Sequence, residues 1–272
     1  MDGLPDCVLK DLYIEEALNE NVSFSSDKEI DEWDHQWEKG TVTYKLYRDK
    51  ESDSFPNSSF EHKALTIALR QWGLRTKNIR FKRIYRESET ADIEVKFQKR
   101  EDNHYFREKK GVLAYAYFPN GKKIGGDMVF NDSVFWSEDG KSRSAHELDP
   151  VNYPDPETKV KLKTYNLVHV MLHEAGHSLG LRHQSECKDC VMYPFYSGKV
   201  VLHDEGDRKY LVHGQEIPLT WEAVEHYKKV GVVPEATGLA HDVDRIQGFY
   251  GKRRLNNRII EYFRRRMLRR WN

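Results

Sequence analysis

The stretch from His173 to His183, His-Glu-Ala-Gly-His-Ser-Leu-Gly-Leu-Arg-His, constrains this chain more than any other feature. His173 and His177 are four residues apart, so on a helix they lie on one face, about one turn from each other. Two imidazoles on one face can bind one Zn²⁺ at roughly 2.0–2.1 Å each. Glu174 stands beside the first imidazole, at the position that a general base for water requires.

Gly180 follows His177 by three residues and predicts where the helix ends. Glycine adopts positive φ without steric cost, so it can turn the chain back and bring His183 round as a third ligand. Three protein ligands leave a fourth position open, which is the arrangement of a catalytic zinc rather than a structural one. The pattern predicts one catalytic Zn²⁺ on His173, His177 and His183, with Glu174 as the catalytic base.

The composition is that of a globular protein with charged extensions. Of 272 residues, 38% are apolar and 32% are charged, and the formal net charge is zero. That average hides an asymmetry, because residues 1–40 carry twelve Asp and Glu against three Lys, whereas residues 252–272 carry nine Lys and Arg against one Glu. Such opposed ends indicate interaction segments, or segments that pair with each other.

Targeting signals are not apparent in the sequence. No apolar run approaches the roughly 18–20 residues of a membrane span, and the first residues lack the basic and apolar regions of a signal peptide. Three cysteines are too few for a disulfide framework. We therefore expect a cytoplasmic protein by default, with secretion by a non-classical route as the alternative.

Hydrophobic periodicity predicts strands and helices along the chain. A capping box at residues 58–61 opens a helix that Gly73 is expected to end. Residues 137–160 read as a surface loop. The predicted strands are 41–47, 79–84, 91–97, 113–118 and 125–130, and the other predicted helices are 164–179, 220–230 and 239–250.

Several further motifs resemble the catalytic domain of matrixins, the matrix metalloproteinase family of the metzincin clan of zinc metalloproteases. Met192 supplies the Met-turn of that clan, nine residues after His183. The other matching motifs, in matrixin order, are Ala91-Asp-Ile, Leu113-Ala-Tyr-Ala, Pro119 with Gly125-Gly-Asp127, Phe130 with Trp136, Tyr165-Asn-Leu, Val191-Met-Tyr-Pro194 and Ile246-Gln-Gly-Phe-Tyr-Gly251.

The resemblance covers roughly residues 41–251 and implies a zincin-like α+β fold. That fold is a twisted five-stranded mixed sheet with one antiparallel edge strand, backed by two helices, with a third helix after the Met-turn. The implied organisation is an acidic N-terminal extension at 1–40 that is a possible pro-segment, a catalytic domain at 41–251 with an insertion at 197–238, and a basic C-terminal helix at 252–272.

The chain departs from the matrixin pattern at the other metal sites. Where matrixins bind a structural zinc, this chain has Arg100, Asp102, Tyr115 and Val129, and Arg and Val cannot ligate zinc, so no second zinc is expected. At one family calcium site, this chain has Asn131 and Val134 where matrixins have carboxylates, so this site is also expected to be absent. Another family calcium site has matching residues here, namely Asp92, Lys123, Gly125 and Asp127, and its oxygen ligands suit Ca²⁺. The alternative is that the carboxylates of Asp92 and Asp127 only cap turns.

The resemblance also implies how a peptide substrate binds. The strand at 113–118 would pair with an extended peptide, so that main-chain hydrogen bonds give affinity and one pocket gives specificity. Because the insertion at 197–238 is longer than the loop that borders this pocket in matrixins, we expect a different substrate preference. The implied substrate-binding residues are Leu113, Ala114, Tyr115, Pro194 and Tyr196.

The three cysteines and His169 have open interpretations. Cys187 and Cys190 form a Cys-x-x-Cys that can be a small disulfide, a pair of thiols or a partial metal site. Cys7 is either an incidental thiol or a thiolate that occupies the open zinc position and keeps the enzyme latent. His169 lies four residues before His173, so packing or support of the metal site is its expected role.

The basic tail repeats an apolar residue at every fourth position, which predicts an amphipathic helix with a cationic face. The apolar residues are Leu255, Ile259, Phe263, Met267 and Trp271. Such a helix can pack on the protein itself or on a partner, lie on an anionic membrane, or bind nucleic acid.

The sequence favours a zinc-dependent endopeptidase acting on protein or peptide substrates. One alternative is a catalytically vestigial domain that serves as a binding module through its charged termini. Another is an inactive precursor that residues 1–40 hold shut.

Overall fold

The structure is a computed structural model, and it describes residues 7–10, 36–47, 59–86, 88–109, 111–119, 123–196, 202–203, 211–212, 215–216, 219–229, 235–236 and 238–252. The amphipathic helix expected after residue 252 therefore lies outside the described residues, as does Ser58 of the expected capping box. Of the helices in the described part, none combines the length and the apolar character that a bilayer crossing requires.

The largest sheet has six strands in the spatial order β1-β5-β6-β4-β2-β3. These strands are β1 Cys7–Lys10, β2 Thr41–Tyr47, β3 Arg80–Arg83, β4 Ile93–Gln98, β5 Val112–Ala116 and β6 Met128–Asn131. Strand β2 runs parallel to β3 and β4, and β4 runs parallel to β6, whereas β5 is antiparallel to β6. Strands β2 to β6 confirm the expected mixed sheet.

Strand β1 is an addition that the sequence did not predict. It pairs antiparallel with β5, with Cys7 opposite Ala116 and Leu9 opposite Ala114. It also lies close to the fourth helix, Leu167–Ser178. The antiparallel strand β5, expected to have a free edge, therefore has a neighbour on both sides.

Short strand pairs make up the rest of the β structure. The parallel pair is β7 Phe135–Ser137 with β10 Thr164–Asn166. The antiparallel pairs are β8 Arg143–Ser144 with β9 Lys161–Leu162, β11 Leu202–His203 with β14 Glu235–Ala236, and β12 Leu211–Val212 with β13 Gln215–Glu216.

Six helices are described, and the first and fourth back the sheet as expected. They are α1 Phe60–Arg75, α2 His104–Glu108, α3 Ala145–Leu148, α4 Leu167–Ser178, α5 Trp221–Lys229 and α6 Leu239–Tyr250. Helices α1 and α4 pack on each other, and the buried indole of Trp72 donates to the carbonyl of Leu172 at 2.9 Å. This contact fixes α4 against α1. Helix α6 has the predicted bounds and is the expected third helix after the Met-turn.

The predicted C-terminal end of α1, at Gly73, was wrong. Ser59 at the N-cap makes no side-chain capping bond, and the helix passes through Gly73 to Arg75. The glycine serves another purpose, because a Cβ at Gly73 would lie 3.3 Å from the ring of Phe81 on β3. Gly73 thus allows a close approach of sheet and helix rather than a helix stop.

The predicted start of the active-site helix, residue 164, was also wrong. Residues Thr164–Asn166 form β10 beside Phe135–Ser137, and the helix begins only at Leu167. The Asn166 side chain accepts a hydrogen bond from the backbone N–H of His169 at 3.0 Å. This N-cap ends the strand and starts the helix.

Candidate metal centre

Helix α4 and the turn after it bring the three predicted histidines together. His173 and His177 lie on α4, which ends at Ser178, and Gly180 has φ 97°. The positive φ turns the chain back toward the helix, as predicted. The Nε2 atom of His173 lies 2.9 Å from Nε2 of His177 and 3.2 Å from Nε2 of His183.

The C-terminal end of α4 is held by two aromatic residues that the sequence reasoning did not assign to the site. The indole N–H of Trp37 donates to the carbonyl of Ser178 at 2.8 Å. The hydroxyl of Tyr250 donates to the carbonyl of Leu179 at 2.9 Å and accepts from the backbone N–H of Trp37 at 3.0 Å. These bonds satisfy helix-end carbonyls that have no partner in the helix, and so fix the turn that carries His183.

Backbone carbonyls set the tautomers of two of the imidazoles. Nδ1 of His173 lies 2.7 Å from the carbonyl of Val191, and Nδ1 of His177 lies 2.5 Å from the carbonyl of Leu181. A carbonyl only accepts, so each Nδ1 carries the hydrogen and each Nε2 of a neutral ring presents a lone pair. The two lone pairs point toward a common centre.

Burial keeps these imidazoles neutral. Both side chains are fully buried, and desolvation lowers the pKa of His173 to about 4 and that of His177 well below its usual range. Metal ligation requires the deprotonated imidazole, so neither ring has to lose a proton at neutral pH before it binds a cation.

The donor set fits a tetrahedral zinc. Nitrogen ligands roughly 2.0–2.1 Å from Zn²⁺ lie about 3.3 Å from each other in tetrahedral geometry, close to the observed separations. Two neutral nitrogens whose lone pairs face each other repel, and a cation between them removes that repulsion. Within the described part of the chain, His173, His177 and His183 are the group of three His, Cys, Asp or Glu residues close enough to share a metal ion.

Glu174 is a buried carboxyl group with no partner among the described residues. Its side chain has no exposed surface, and neither carboxyl oxygen has a hydrogen-bond partner. Burial raises its pKa well above the usual range, and a cation on the adjacent imidazoles would act in the opposite direction. A buried polar group without a partner is costly, so this carboxyl is available for a proton or a substrate group.

Met192 lies directly against α4, as expected of the Met-turn. It is fully buried, and a Cβ built on Gly176 would come within 2.3 Å of its sulfur atom. Only a glycine at residue 176 allows this approach of helix and turn. Met192 packs against the helix that carries His173 and His177.

Replacing Gly176 with alanine is expected to destabilise the domain by about 1–3 kcal/mol, because the new methyl overlaps the Met192 side chain. The free energy of unfolding measured by chemical denaturation tests this. Gly248→Ala on helix α6 is the control, since a Cβ there meets nothing within 4 Å and alanine favours a helix by about 0.5–1 kcal/mol. Equal stability of the two variants would contradict the packing.

Asp242 is a further residue that the sequence reasoning missed. It is fully buried on α6, and its carboxylate accepts from the backbone N–H of Met192 at 3.1 Å. Arg245 lies 3.4 Å from that carboxylate and also donates to the carbonyl of Arg182 at 3.1 Å. Helix α6 therefore holds the Met-turn and the segment before His183 together. The available signal in the sequence was an Asp at a position on the apolar face of the predicted helix 239–250.

Comparison with known proteins agrees with the fold and the site. The matrixin family profile matches residues 36–211. The chain belongs to the matrixin family. This matrixin is 32% identical to Matrix metalloproteinase-2 of Drosophila melanogaster over 168 residues, which cover 61% of this chain and 19% of the relative.

Two other relatives extend the comparison. Matrix metalloproteinase-20 of Homo sapiens is 30% identical over 166 residues, which cover 60% of this chain and 28% of the relative. Karilysin of Tannerella forsythia is 26% identical over 187 residues, which cover 67% of this chain and 34% of the relative. The matrixin described here thus spans about a third or less of the length of these relatives.

Two of the four residues at the family's structural-zinc position, Tyr115 and Val129, lie in a mainly aromatic cluster. Tyr115 and Val129 pack with Phe106 and Val112, and the ring of Tyr105 meets that of Tyr115 at 5.3 Å. The Tyr115 hydroxyl accepts from the side-chain amide of Asn103 at 2.9 Å. Apolar packing and this hydrogen bond stabilise the contact between α2 and the strands β5 and β6. Tyr115, expected to contact substrate, has its side chain in this cluster.

The possible calcium ligands have protein partners. The Asp92 carboxylate accepts from the backbone N–H and the hydroxyl of Thr43, both at 2.7 Å, and pairs with the ammonium of Lys39. Asp127 accepts from the backbone N–H of Glu94 at 2.8 Å, and burial raises its pKa to about 6. Calcium binding by these residues with Lys123 and Gly125 stays a prediction.

The other predicted substrate-binding residues lie on β5 and in the segment after the Met-turn. Leu113 and Ala114 are buried on β5, and the backbone of Ala114 faces Leu9 of β1. Pro194 is partly buried beyond the Met-turn. The Tyr196 hydroxyl accepts from the backbone N–H of Asn166 at 2.7 Å.

His169 packs on Tyr196 rather than joining the three ligands. Their rings lie 5.3 Å apart. Desolvation lowers the pKa of His169 to about 3, so the imidazole is neutral. Its Nδ1 is buried without a hydrogen-bond partner in the described structure. Packing beside the metal site, the role expected from the sequence, agrees with these contacts.

Proposed function

We propose that this matrixin is a zinc-dependent endopeptidase that hydrolyses peptide bonds in protein or peptide substrates. The observation that carries the proposal is the convergence of three imidazole nitrogens beside a buried carboxyl group that has no other partner. His173, His177 and His183 would hold the zinc ion. When bound, zinc supplies Lewis acidity, which acidifies water and polarises the scissile carbonyl.

The residues of the chain perform the proton transfers. Glu174 accepts a proton from the attacking water and later delivers it to the leaving amine. The carbonyls of Val191 and Leu181 keep the ligand imidazoles in the tautomer that presents Nε2. The ring of Phe118, 5.7 Å from that of His177, shields this side of the site from water.

An extended substrate would add to the edge of β5, as the family resemblance implies. In this chain β1 pairs with that edge, so a substrate and residues 7–10 compete for the same backbone groups. We therefore propose that residues 1–40 act as an internal restraint on the peptidase. Two of the three relatives named above are matrix metalloproteinases by name, which supports the reaction class.

Zinc content and cleavage products test the proposed function. Purified full-length protein is expected to bind one zinc per chain, measured by atomic emission. Incubation with an unfolded protein is expected to release internal fragments with new N-termini, mapped by mass spectrometry. One zinc without any cleavage, in the full chain and after N-terminal trimming, would favour the vestigial binding module. A chain that binds no zinc would overturn the proposed site itself.

A further inference from the structure

The two cysteines between the third ligand and the Met-turn form a disulfide, one of the three states that the sequence left open. Cys187 and Cys190 lie in a loop that the backbone N–H of Gln184 closes by donating to the carbonyl of Met192 at 2.8 Å. Within the loop, the N–H of Cys190 donates to the carbonyl of Cys187 at 3.1 Å. The disulfide thus cross-links the two ends of a tight turn within this loop.

Both ends of this loop touch the metal centre. Gln184, at the first end, directly follows the ligand His183. At the other end, Val191 directly follows Cys190, and its carbonyl is the acceptor for Nδ1 of His173. The Val191 carbonyl orients the His173 ring. Val191 is the residue next to Cys190, which forms the disulfide with Cys187.

The loop is also supported from outside. The N–H of Val191 donates to the carbonyl of Gly238 at 3.4 Å. Gly238 has φ 76°, and a Cβ there would overlap the carbonyl oxygen of Asp189. From outside, the turn is held by this long hydrogen bond, by the backbone contact and by the bond from the Met192 N–H to Asp242. The disulfide between residues 187 and 190 is the covalent constraint within the turn.

The two half-cystines differ in access. Cys190 is 6% exposed, whereas Cys187 is only partly buried. A small reductant can therefore reach the disulfide from the Cys187 side. Reduction would replace a bonded pair of sulfur atoms by two thiols that no longer constrain the turn.

We propose that the Cys187–Cys190 disulfide is a redox-sensitive positioning element for the metal site. In the oxidised form it holds the Val191 carbonyl against His173, and reduction weakens zinc binding. The inference rests on the zinc site of the proposed function, but it does not require turnover. Loss of an outer partner of a metal-binding histidine typically weakens metal affinity by about 10–100-fold, so about a tenfold loss is expected when this partner is loosened.

A water-soluble phosphine is the reductant for the Cys187–Cys190 disulfide. The phosphine attacks one sulfur, the S–S bond breaks, and water then supplies the oxygen of the phosphine oxide and the hydrogens of the two thiols. The phosphine loses two electrons and the disulfide gains them. A phosphine is preferred to a dithiol because a dithiol ligates zinc strongly itself.

The test measures the zinc dissociation constant of the full chain by competition with a chromophoric chelator, before and after reduction. Alkylation and mass spectrometry report the state of Cys187 and Cys190. Reduced protein is expected to bind zinc about tenfold more weakly, and reoxidation is expected to restore the affinity. Cobalt substitution adds a readout, because a changed His173 orientation alters the visible absorption of bound Co²⁺.

Two variants serve as references. Cys187→Ala/Cys190→Ala is expected to bind zinc as weakly as the reduced protein and not to respond to the phosphine, which also excludes an effect through Cys7. Lys188→Ala, an exposed residue of the same loop, is expected to retain the response. If the double variant fails to fold, the reduction and reoxidation series still decides.

Equal zinc affinity and an identical cobalt spectrum in both redox states would overturn the inference while leaving the zinc site intact. Absence of the disulfide from protein purified without reductant would overturn it as well. Failure to bind zinc in either state would instead remove the proposed function on which it rests.

Discussion

Replacing Glu174 with glutamine is expected to lower kcat by about 10²–10⁴-fold, the range in which a general acid–base residue contributes, while zinc binding is kept. Glutamine has the size and shape of glutamate but cannot accept the proton of the attacking water. Glu174 is outside the group of three imidazoles that could hold a metal ion. The change therefore removes proton transfer and leaves the ligands in place.

Steady-state kinetics on a fluorogenic peptide and zinc content by atomic emission measure the two effects separately. KM is expected to change little, because the lost interaction belongs to the transition state. Glu157→Gln, at an exposed loop residue, makes the same chemical change away from the site and should leave both quantities unaltered. Turnover by Glu174→Gln at the wild-type rate would show that Glu174 is not the base.

Removing residues 1–35 is expected to raise kcat/KM by on the order of tenfold. A tethered segment competes at an effective concentration on the order of millimolar, so a strand with an intrinsic Kd of about 0.1 mM would occupy the β5 edge about nine-tenths of the time. Without the segment, the edge is available to every substrate molecule. Starting at residue 36 retains Trp37, whose indole holds the end of α4.

The truncation needs a variant that keeps the acidic extension. Val8→Pro/Leu9→Pro removes two adjacent backbone N–H groups from β1. Alternate residues of an antiparallel strand bond to its partner, so one of the two positions faces β5, and the variant should activate the whole chain in the same direction. Activity is measured as initial rates at substrate concentrations well below KM, where kcat/KM is read directly. Identical kcat/KM for the full chain, the truncated chain and the proline variant would show that β1 does not restrain the enzyme.

The sequence predicted the metal centre well because its signals are local. A helix repeats every 3.6 residues, so His173 and His177 share a face wherever the helix lies. Gly180 has the positive φ that the turn to His183 demanded. The strand at Thr41–Tyr47 and the helix at Leu239–Tyr250 were predicted with the observed bounds, because alternation and apolar periodicity are uninterrupted there.

The errors occurred where a contact with a distant segment changed a local preference. Gly73 looked like a helix stop, but the approach of Phe81 explains the glycine. Residues 164–166 were assigned to the active-site helix, but pairing with Phe135–Ser137 made them a strand. The disulfide choice for Cys187 and Cys190 also depended on how the loop folds, since the spacing permits three states.

The sequence by itself determined which side chains are the candidate metal ligands and which carboxyl group is the proposed base, since those tasks require particular chemical groups at a fixed helical spacing. The tertiary structure decided what orients and restrains them. Val191 and Leu181 hold the imidazoles through backbone carbonyls, Asp242 holds the Met-turn through a backbone N–H, and β1 joins β5 through main-chain bonds. Nearly every residue carries these backbone groups, so no residue type marks their use until the chain has folded.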